Sequence, residues 1–339
     1  MDAVDFVAAL TFVSEKSAAL GIARRAHVDV DGRVDCHRLA AGVDFEEVGL
    51  CHGFDAFRVR GARALSCRRL LGEMRPDLGE ITDVFNARAA SYAQTDWHVR
   101  CAERLIELCR LRPGDHVMDA ATGTGFAALA AARAVGDGGR VLGVDISPGM
   151  LREARAAMQQ AGLRNIELLE ADAVRLPQLP DESFHVITCA QGLLYMPAAD
   201  ALREWYRLLK KRGRVAFTSM RTGSPPGARV FRDCAAAFGV SLRDPSEPLG
   251  SPAASRTALE TAGFEVAVIV AETIEFTARD HARAWESNFR SAVHASVRRL
   301  GEDELRDLQS AYDAALAREE SENPGALSRA DILYVIGQR

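Results

Sequence analysis

The strongest constraint on how this chain folds is a regular exchange of two hydrophobic periods between His116 and Ser219. Short runs rich in aliphatic residues occur at His116–Ala120, Arg140–Asp145, Ile166–Glu170, Phe184–Cys189 and Gly213–Ser219. Between them lie stretches whose apolar residues recur every three to four positions: Phe126–Val135, Pro148–Ala161 and Ala199–Lys211. The first pattern predicts strands and the second predicts helices that cross back over them. The runs are apolar on both sides, which demands helices on both faces of a mostly parallel sheet. Punctuation agrees: Arg112-Pro113-Gly114-Asp115 ends a helix over Val99–Cys109, Pro148 suits a first helical turn, and Gly162 suits a C-terminal cap. Further strands at Glu265–Val270 and Ile332–Ile336 bring the expectation to an α/β, doubly wound, seven-stranded sheet.

Two regions break the rhythm. Residues 1–78 predict a small α+β appendage, with a helix over Asp5–Leu20, a hairpin about Asp31-Gly32 and a second helix near Ala56–Met74. Its expected role is dimerisation or substrate shaping, so a homodimer is one partner to test. The main domain is expected over 79–339. Within it, 221–250 (Pro-, Gly- and Ser-rich around a helical stretch, Val230–Phe238) and 280–322 (mostly helical, before the last strand) read as cap or lid segments. In the second, Trp285, Phe289, Val293, Val297 and Leu300 recur at helical spacing, which serves either packing onto the main domain or closure over a substrate.

Composition narrows the function classes. Net charge is −5, and the only dense basic run, Lys210-Lys211-Arg212, is expected at a helix C-terminus where cations favour the dipole; no nucleic-acid partner is expected. No stretch reaches the roughly 20 apolar residues of a membrane span, and Met1–Leu20 lacks a secretion signal. Seven cysteines without a Cys-x-x-Cys pair or a Cys/His cluster indicate reduced thiols, no metal and a cytoplasmic location.

The local signal for chemistry is Val117-Met-Asp-Ala-Ala-Thr-Gly-Thr-Gly125, set between a predicted strand and a helix. Small residues there let a ligand approach the backbone. Asp145 ends the next strand, 20 residues after Gly125, where a carboxylate can accept both hydroxyls of a ribose. Two ligands fit this much. Gly123-x-Gly125-x-x-Ala128 also satisfies a dinucleotide fingerprint, so an NAD(P)-dependent oxidoreductase is one reading. Its companion signal, Tyr206-x-x-x-Lys210, falls on an amphipathic helix one strand too early. The other ligand is S-adenosylmethionine. Asp119 would repel a pyrophosphate but suit a cationic ammonium and sulfonium, and Asp172 with Ala173 stands at the tip of the third strand, where an adenine amino group can be read.

Four stretches in order, Met118–Gly125, Val144-Asp-Ile-Ser-Pro-Gly-Met150, Ala171-Asp-Ala173 and Leu176-Pro-x-x-Pro-Asp-Glu-Ser-Phe184, resemble class I S-adenosylmethionine-dependent methyltransferases. The branch most similar is that of the ubiquinone/menaquinone biosynthesis C-methyltransferases. Phe85–Tyr92 is similar to that branch's N-terminal arm. The resemblance implies S-adenosylmethionine as cofactor. Asp119, Ala120, Gly123, Thr124 and Gly125 would line its methionine end, and Asp145 and Ile146 its ribose and adenine. Asp172 and Ala173 would read the base, Ala190 and Gln191 would approach by backbone, and Tyr92 would contact it from the arm. The segment Gln191-Gly-Leu-Leu-Tyr-Met196 departs from the quinone enzymes, which points away from a quinone acceptor. The expected activity is methylation of a small molecule, with a place in specialised metabolism.

Such a transfer needs alignment above all, plus a base where the acceptor must lose a proton. Candidate bases are Tyr195, His98, His281 and His294; location near the strand ends favours Tyr195 and His98 as catalytic residues. A non-catalytic cofactor-binding partner subunit is the remaining rival reading.

Overall fold

The computed structural model describes residues 27–28, 34–35, 77–92 and 96–339. Residues 1–74 and 75–339 form separate units. In the first, β1 (His27–Val28) and β2 (Val34–Asp35) pair antiparallel with Val28 opposite Val34; the turn expected at Asp31-Gly32 lies outside the described residues. The two helices expected there lie outside the described residues.

The second unit opens with α1 (Leu78–Tyr92) and α2 (Asp96–Cys109). The predicted alternation follows: β3 (His116–Ala120), α3 (Phe126–Val135), β4 (Arg140–Asp145), α4 (Pro148–Ala161), β5 (Ile166–Glu170) and β6 (Phe184–Cys189). Then come α5 (Ala198–Leu208), β7 (Leu209–Met220), α6 (Pro226–Ala237), α7 (Pro252–Thr261) and β8 (Glu265–Glu275). The short helices α8 (Ala278–Ala282) and α9 (Ala284–Phe289), a 3₁₀ stretch (Ala292–Arg299) and α10 (Glu302–Glu322) lead to β9 (Arg329–Gln338).

Seven strands form one sheet in the order β5-β4-β3-β6-β7-β9-β8. β9 runs antiparallel to both neighbours, and the other pairs are parallel. The chain winds outward from β3 to β5 and then jumps to the other side of β3 at β6. That reversal opens a crevice at the C-terminal ends of β3 and β6.

Strand alternation divides the core between the two faces. Along β3, Val117 joins one apolar cluster and Met118 the other; along β7, Ala216 joins the first while Val215 and Phe217 join the second. Trp205 of α5 is buried on the second face and donates its indole N–H to the Ala173 carbonyl (2.9 Å). That bond ties α5 to the loop after β5.

The sequence misplaced one junction. α5 stops at Leu208 instead of Lys211, and β7 begins at Leu209, four residues before Gly213. Leu209 pairs with Phe184, then the register slips before Arg214 pairs with Val186. Arg212 takes a positive φ of 64° in the slip. Lys210 therefore sits in a bulged strand, with Nζ 3.1 Å from His185 Nε2, and the helix-dipole account of the basic run does not apply. β8 and β9 also outrun their expected bounds because they pair with each other over ten positions. The polar residues on the exposed side of β8 hid this extension.

The cap segments build a small core of their own. Phe231 of α6 meets Trp285 of α9 (centroids 5.6 Å apart) and Tyr312 of α10 (5.6 Å). Phe289, Val297 and Leu300 pack on the same cluster, while Val293 faces a cavity. The stripe thus serves packing at four positions and lines a cavity at the fifth.

Candidate functional site

The crevice at β3 and β6 is built by backbone before side chains. After β3 the chain turns through Gly123 (φ 57°) into Gly125 (φ 93°), which precedes α3. A Cβ at Gly123 would meet nothing within 4 Å, so that edge of the loop faces open space. Asp145, at the end of β4, holds the loop: Gly123 N–H donates to its Oδ2 (2.8 Å) and Ser147 N–H to its Oδ1 (2.9 Å). Burial raises the Asp145 pKa, and these backbone bonds oppose the rise. A carboxylate has about four acceptor sites on its two oxygens, so room is left for a ligand hydroxyl beside these amides.

Asp119 is placed differently. It is 1% exposed, with Thr122 Oγ1 donating to Oδ2 (2.6 Å) and Thr188 Oγ1 donating to Oδ1 (2.7 Å). Burial pushes its carboxyl up to about 6 against the pull of those two hydroxyls. It pins the loop to β6 from beneath.

A small cleft of about 60 Å³ brings together Tyr92, Gly123, Asp145, Ile146, Asp172, Ala173, Ala190 and Gln191 of the expected cofactor residues. Asp119, Ala120, Thr124 and Gly125 do not line it. Thr124 lies close behind the loop surface at 3% exposure, and its buried Oγ1 has no hydrogen-bond partner. Gln191, in a left-handed conformation (φ 60°), donates both its N–H and its Nε2 to Thr218 Oγ1 (2.9 Å each).

The arm covers this cleft. Asn86 Oδ1 accepts Gly149 N–H and Ser147 Oγ–H at 2.8 Å each, docking α1 on the start of α4. Phe85 meets Tyr195 edge-on at 5.1 Å. Tyr92 stacks on His98 (4.8 Å), and His98 stacks on Trp97 (3.7 Å). Burial, with Arg88 adding to it, pulls the His98 pKa down to about 3, and burial raises that of Tyr92. Burial thus favours the neutral imidazole at His98. Tyr195, in a 3₁₀ turn after β6, lines both the cleft and the space beyond.

That space is a cavity of about 630 Å³ under the cap. Phe85, Tyr92, Gln191 and Tyr195 form the wall it shares with the cleft. His281 and His294 line it as well, and neither is simply solvated. His281 Nε2 lies 3.2 Å from Ser328 Oγ. His294 is 3% exposed, and its Nδ1 donates to the Asn288 carbonyl (3.0 Å). Burial draws the His294 pKa down to about 4. Sequence reasoning missed Phe85, Arg88 and Asn86 as site residues. The signal was there: Phe85, Arg88 and Tyr92 are spaced three and four apart and share one helix face.

A methyltransferase-domain family profile matches residues 117–213. Aklanonic acid methyltransferase DauC of Streptomyces sp. (strain C5) is 34% identical over 152 residues, covering 43% of this chain and 69% of that protein. The chain belongs to the class I S-adenosylmethionine-dependent methyltransferases. A demethylmenaquinone methyltransferase of Listeria welshimeri is 35% identical over 131 residues, 38% of this chain and 55% of that one. Among solved structures, a protein of Bacillus halodurans assigned as a methyltransferase superposes with a TM-score of 0.50 at 21% identity, covering 70% of this chain and 97% of its own. That likeness is one of fold.

The nicotinamide reading gives way to this membership. The residues also fit an adenosyl cofactor on their own chemistry. Open space faces Gly123, the buried Thr124 Oγ1 lacks a partner, and the Asp145 carboxylate is fixed at the strand end by the amides of the loop and of the residues that follow it. Among the described residues, no group of three or more His, Cys, Asp or Glu converges as a metal site, and no helix is long and apolar enough to cross a membrane.

Proposed function

We propose that this methyltransferase acts on a small, largely apolar acceptor of specialised metabolism held in the cavity under the cap. The observation that carries this reading is the shared wall of Phe85, Tyr92, Gln191 and Tyr195, which lets an acceptor in the cavity reach the cofactor cleft. A volume of about 630 Å³ suits a drug-sized molecule. The name of the Streptomyces relative, an aklanonic acid methyltransferase, supports a small organic acceptor.

In this reading Asp145 holds the ribose, Asp172 and Ala173 read the adenine, and Ile146 packs on it. Gly123 and Gln191 approach by backbone, and Thr124 stands just behind the loop surface. Asp119 acts one layer below, fixing the loop through Thr122. The bound cofactor supplies an electrophilic methyl on sulfur whose departing group is neutral. The chain's task is to hold the acceptor in line and exclude water, an alignment worth on the order of 7–11 kcal/mol. Tyr195, on the shared wall, is the residue best placed to touch the acceptor. We also read the chain as cytoplasmic, with the appendage supporting a homodimer and no role for nucleic acid.

Calorimetry tests the first half of this reading: S-adenosylhomocysteine should bind and NADPH should not. Transfer of a labelled methyl group to extracts fractionated by polarity tests the second half. Label confined to water-soluble polar products would contradict an apolar acceptor.

A further inference from the structure

The cavity under the cap is charged as well as apolar, and its charges are unevenly satisfied. Among its acidic residues, Asp244 accepts Gly223 N–H, Ser246 N–H and an Arg232 N–H (2.7–3.0 Å), and Asp280 accepts the N–H and hydroxyl of Thr277 (2.8 Å each). Glu320 is exposed and accepts Gly325 N–H at 2.8 Å. The cations differ. Arg232 is engaged by Asp244, but the guanidinium of Arg88, half-buried on α1, makes no hydrogen bond or ion pair among the described residues. It lies 6.0 Å from the Phe85 ring centroid and 5.6 Å from that of Tyr92, the two arm aromatics of the shared wall. Those ring faces attract a cation but offer no acceptor to its five N–H groups. Arg283, farther along the cap, likewise makes none among the described residues. Unmet donors beside the cofactor cleft ask for an anion.

We propose that the acceptor is an oxyanion, a carboxylate or an ionised phenol on an apolar body, and that Arg88 binds it where the cavity meets the cofactor cleft. The inference rests on the methyltransfer reading above and names its substrate class. An oxyanion brings its own nucleophilic lone pair. The oxygen–carbon bond forms as the carbon–sulfur bond of the donor breaks, and no proton has to leave. Such a site needs no protein base. Two of the three histidines that line the cavity, His98 and His294, are drawn down to about 3 and about 4 and are poor bases. The positive field of Arg88 contributes to the first of these shifts.

The test is calorimetric, on the full chain saturated with S-adenosylhomocysteine, at pH 8. The probes are 2-naphthoate, 4-nitro-1-naphtholate and the neutral 2-naphthamide. At least one anion should bind about tenfold or more tighter than the amide, and which one does so distinguishes carboxylate from phenolate. In Arg88→Gln that preference should collapse and in Arg88→Lys part of it should remain, each variant being measured with S-adenosylhomocysteine at saturation. The lysine variant, with thermal melts of each protein, separates lost charge from lost folding. Equal binding of anions and amide, no binding of either anion, or a preference that survives in Arg88→Gln overturns the proposal. Failure of the unsubstituted chain to bind S-adenosylhomocysteine counts against the cofactor reading itself.

Discussion

Asp145 and Gly123 act together, one as a fixed acceptor and the other as the bare edge it secures. Replacing Asp145 by Ala should weaken S-adenosylhomocysteine binding by about 1–3 kcal/mol, since charge-assisted bonds to the ribose are lost. Calorimetry checks this, and unchanged affinity would show that the ribose binds elsewhere. At Gly123 the expected costs diverge. An alanine there strains a positive-φ position by about 1–2 kcal/mol but meets no protein atom, so the chain should still fold. Its methyl would project into open space at the cleft, so cofactor binding should suffer far more than the melting temperature. Asp119 makes a prediction about pH. Its folded pKa of about 6 stands above the ordinary aspartate value of 3.8, so the native state holds the extra proton between those values. Stability contributed by this group is then greatest at acid pH and falls as pH rises through that window, by on the order of 2–3 kcal/mol. Asp119→Asn removes the titration. The variant should gain stability relative to the parent between pH 4 and pH 8, measured by thermal or urea unfolding; a constant difference would mean an unshifted carboxyl.

The arm shows how an element depends on one side chain. Asn86 Oδ1 satisfies the buried Gly149 N–H and the Ser147 hydroxyl together. Asn86→Ala leaves that amide unpaired, a cost of about 1–3 kcal/mol that falls on arm docking and not on the sheet. Hydrogen exchange should accelerate across 78–92 while β3 and β6 stay protected, and cofactor affinity should drop. Uniform acceleration through the sheet would show that the arm is part of one cooperative core. Elements were unevenly legible. Pro148 and Gly162 bracket α4 where the sequence placed them, because capping chemistry is local: Ser147 Oγ accepts Met150 N–H and Gly162 takes φ 66°. The end of α5 was not legible. Leu208 and Leu209 continue an apolar pattern, and only pairing with Phe184 turns Leu209 into a strand residue.

At the scale of the molecule, every described cofactor-facing residue lies within 77–339, which holds the whole seven-stranded sheet. A chain starting at residue 77 should unfold cooperatively and bind S-adenosylhomocysteine within about threefold of the full protein, under 1 kcal/mol. A larger loss would assign the appendage a part in the cofactor site.

The parallel order of strands and the glycine loop at the first strand end could be read from sequence because each depends on short-range pattern. So could the carboxylate at the second strand end and the class of cofactor. Hydrophobic period, turn residues and the length of a β/α unit leave few ways to bury both faces of a sheet. Tertiary structure decided what depends on distant partners. Asp119 turned out to be bound by Thr122 and Thr188 beneath the loop, because burial in a sheet is set by the neighbouring strand. His98 is packed between Tyr92 and Trp97, and burial lowers its pKa, a setting that the sequence could not show. Arg88, one arginine among many in the sequence, could be placed at the wall of the cavity only by the docking of the arm, which sets it beside the rings of Phe85 and Tyr92.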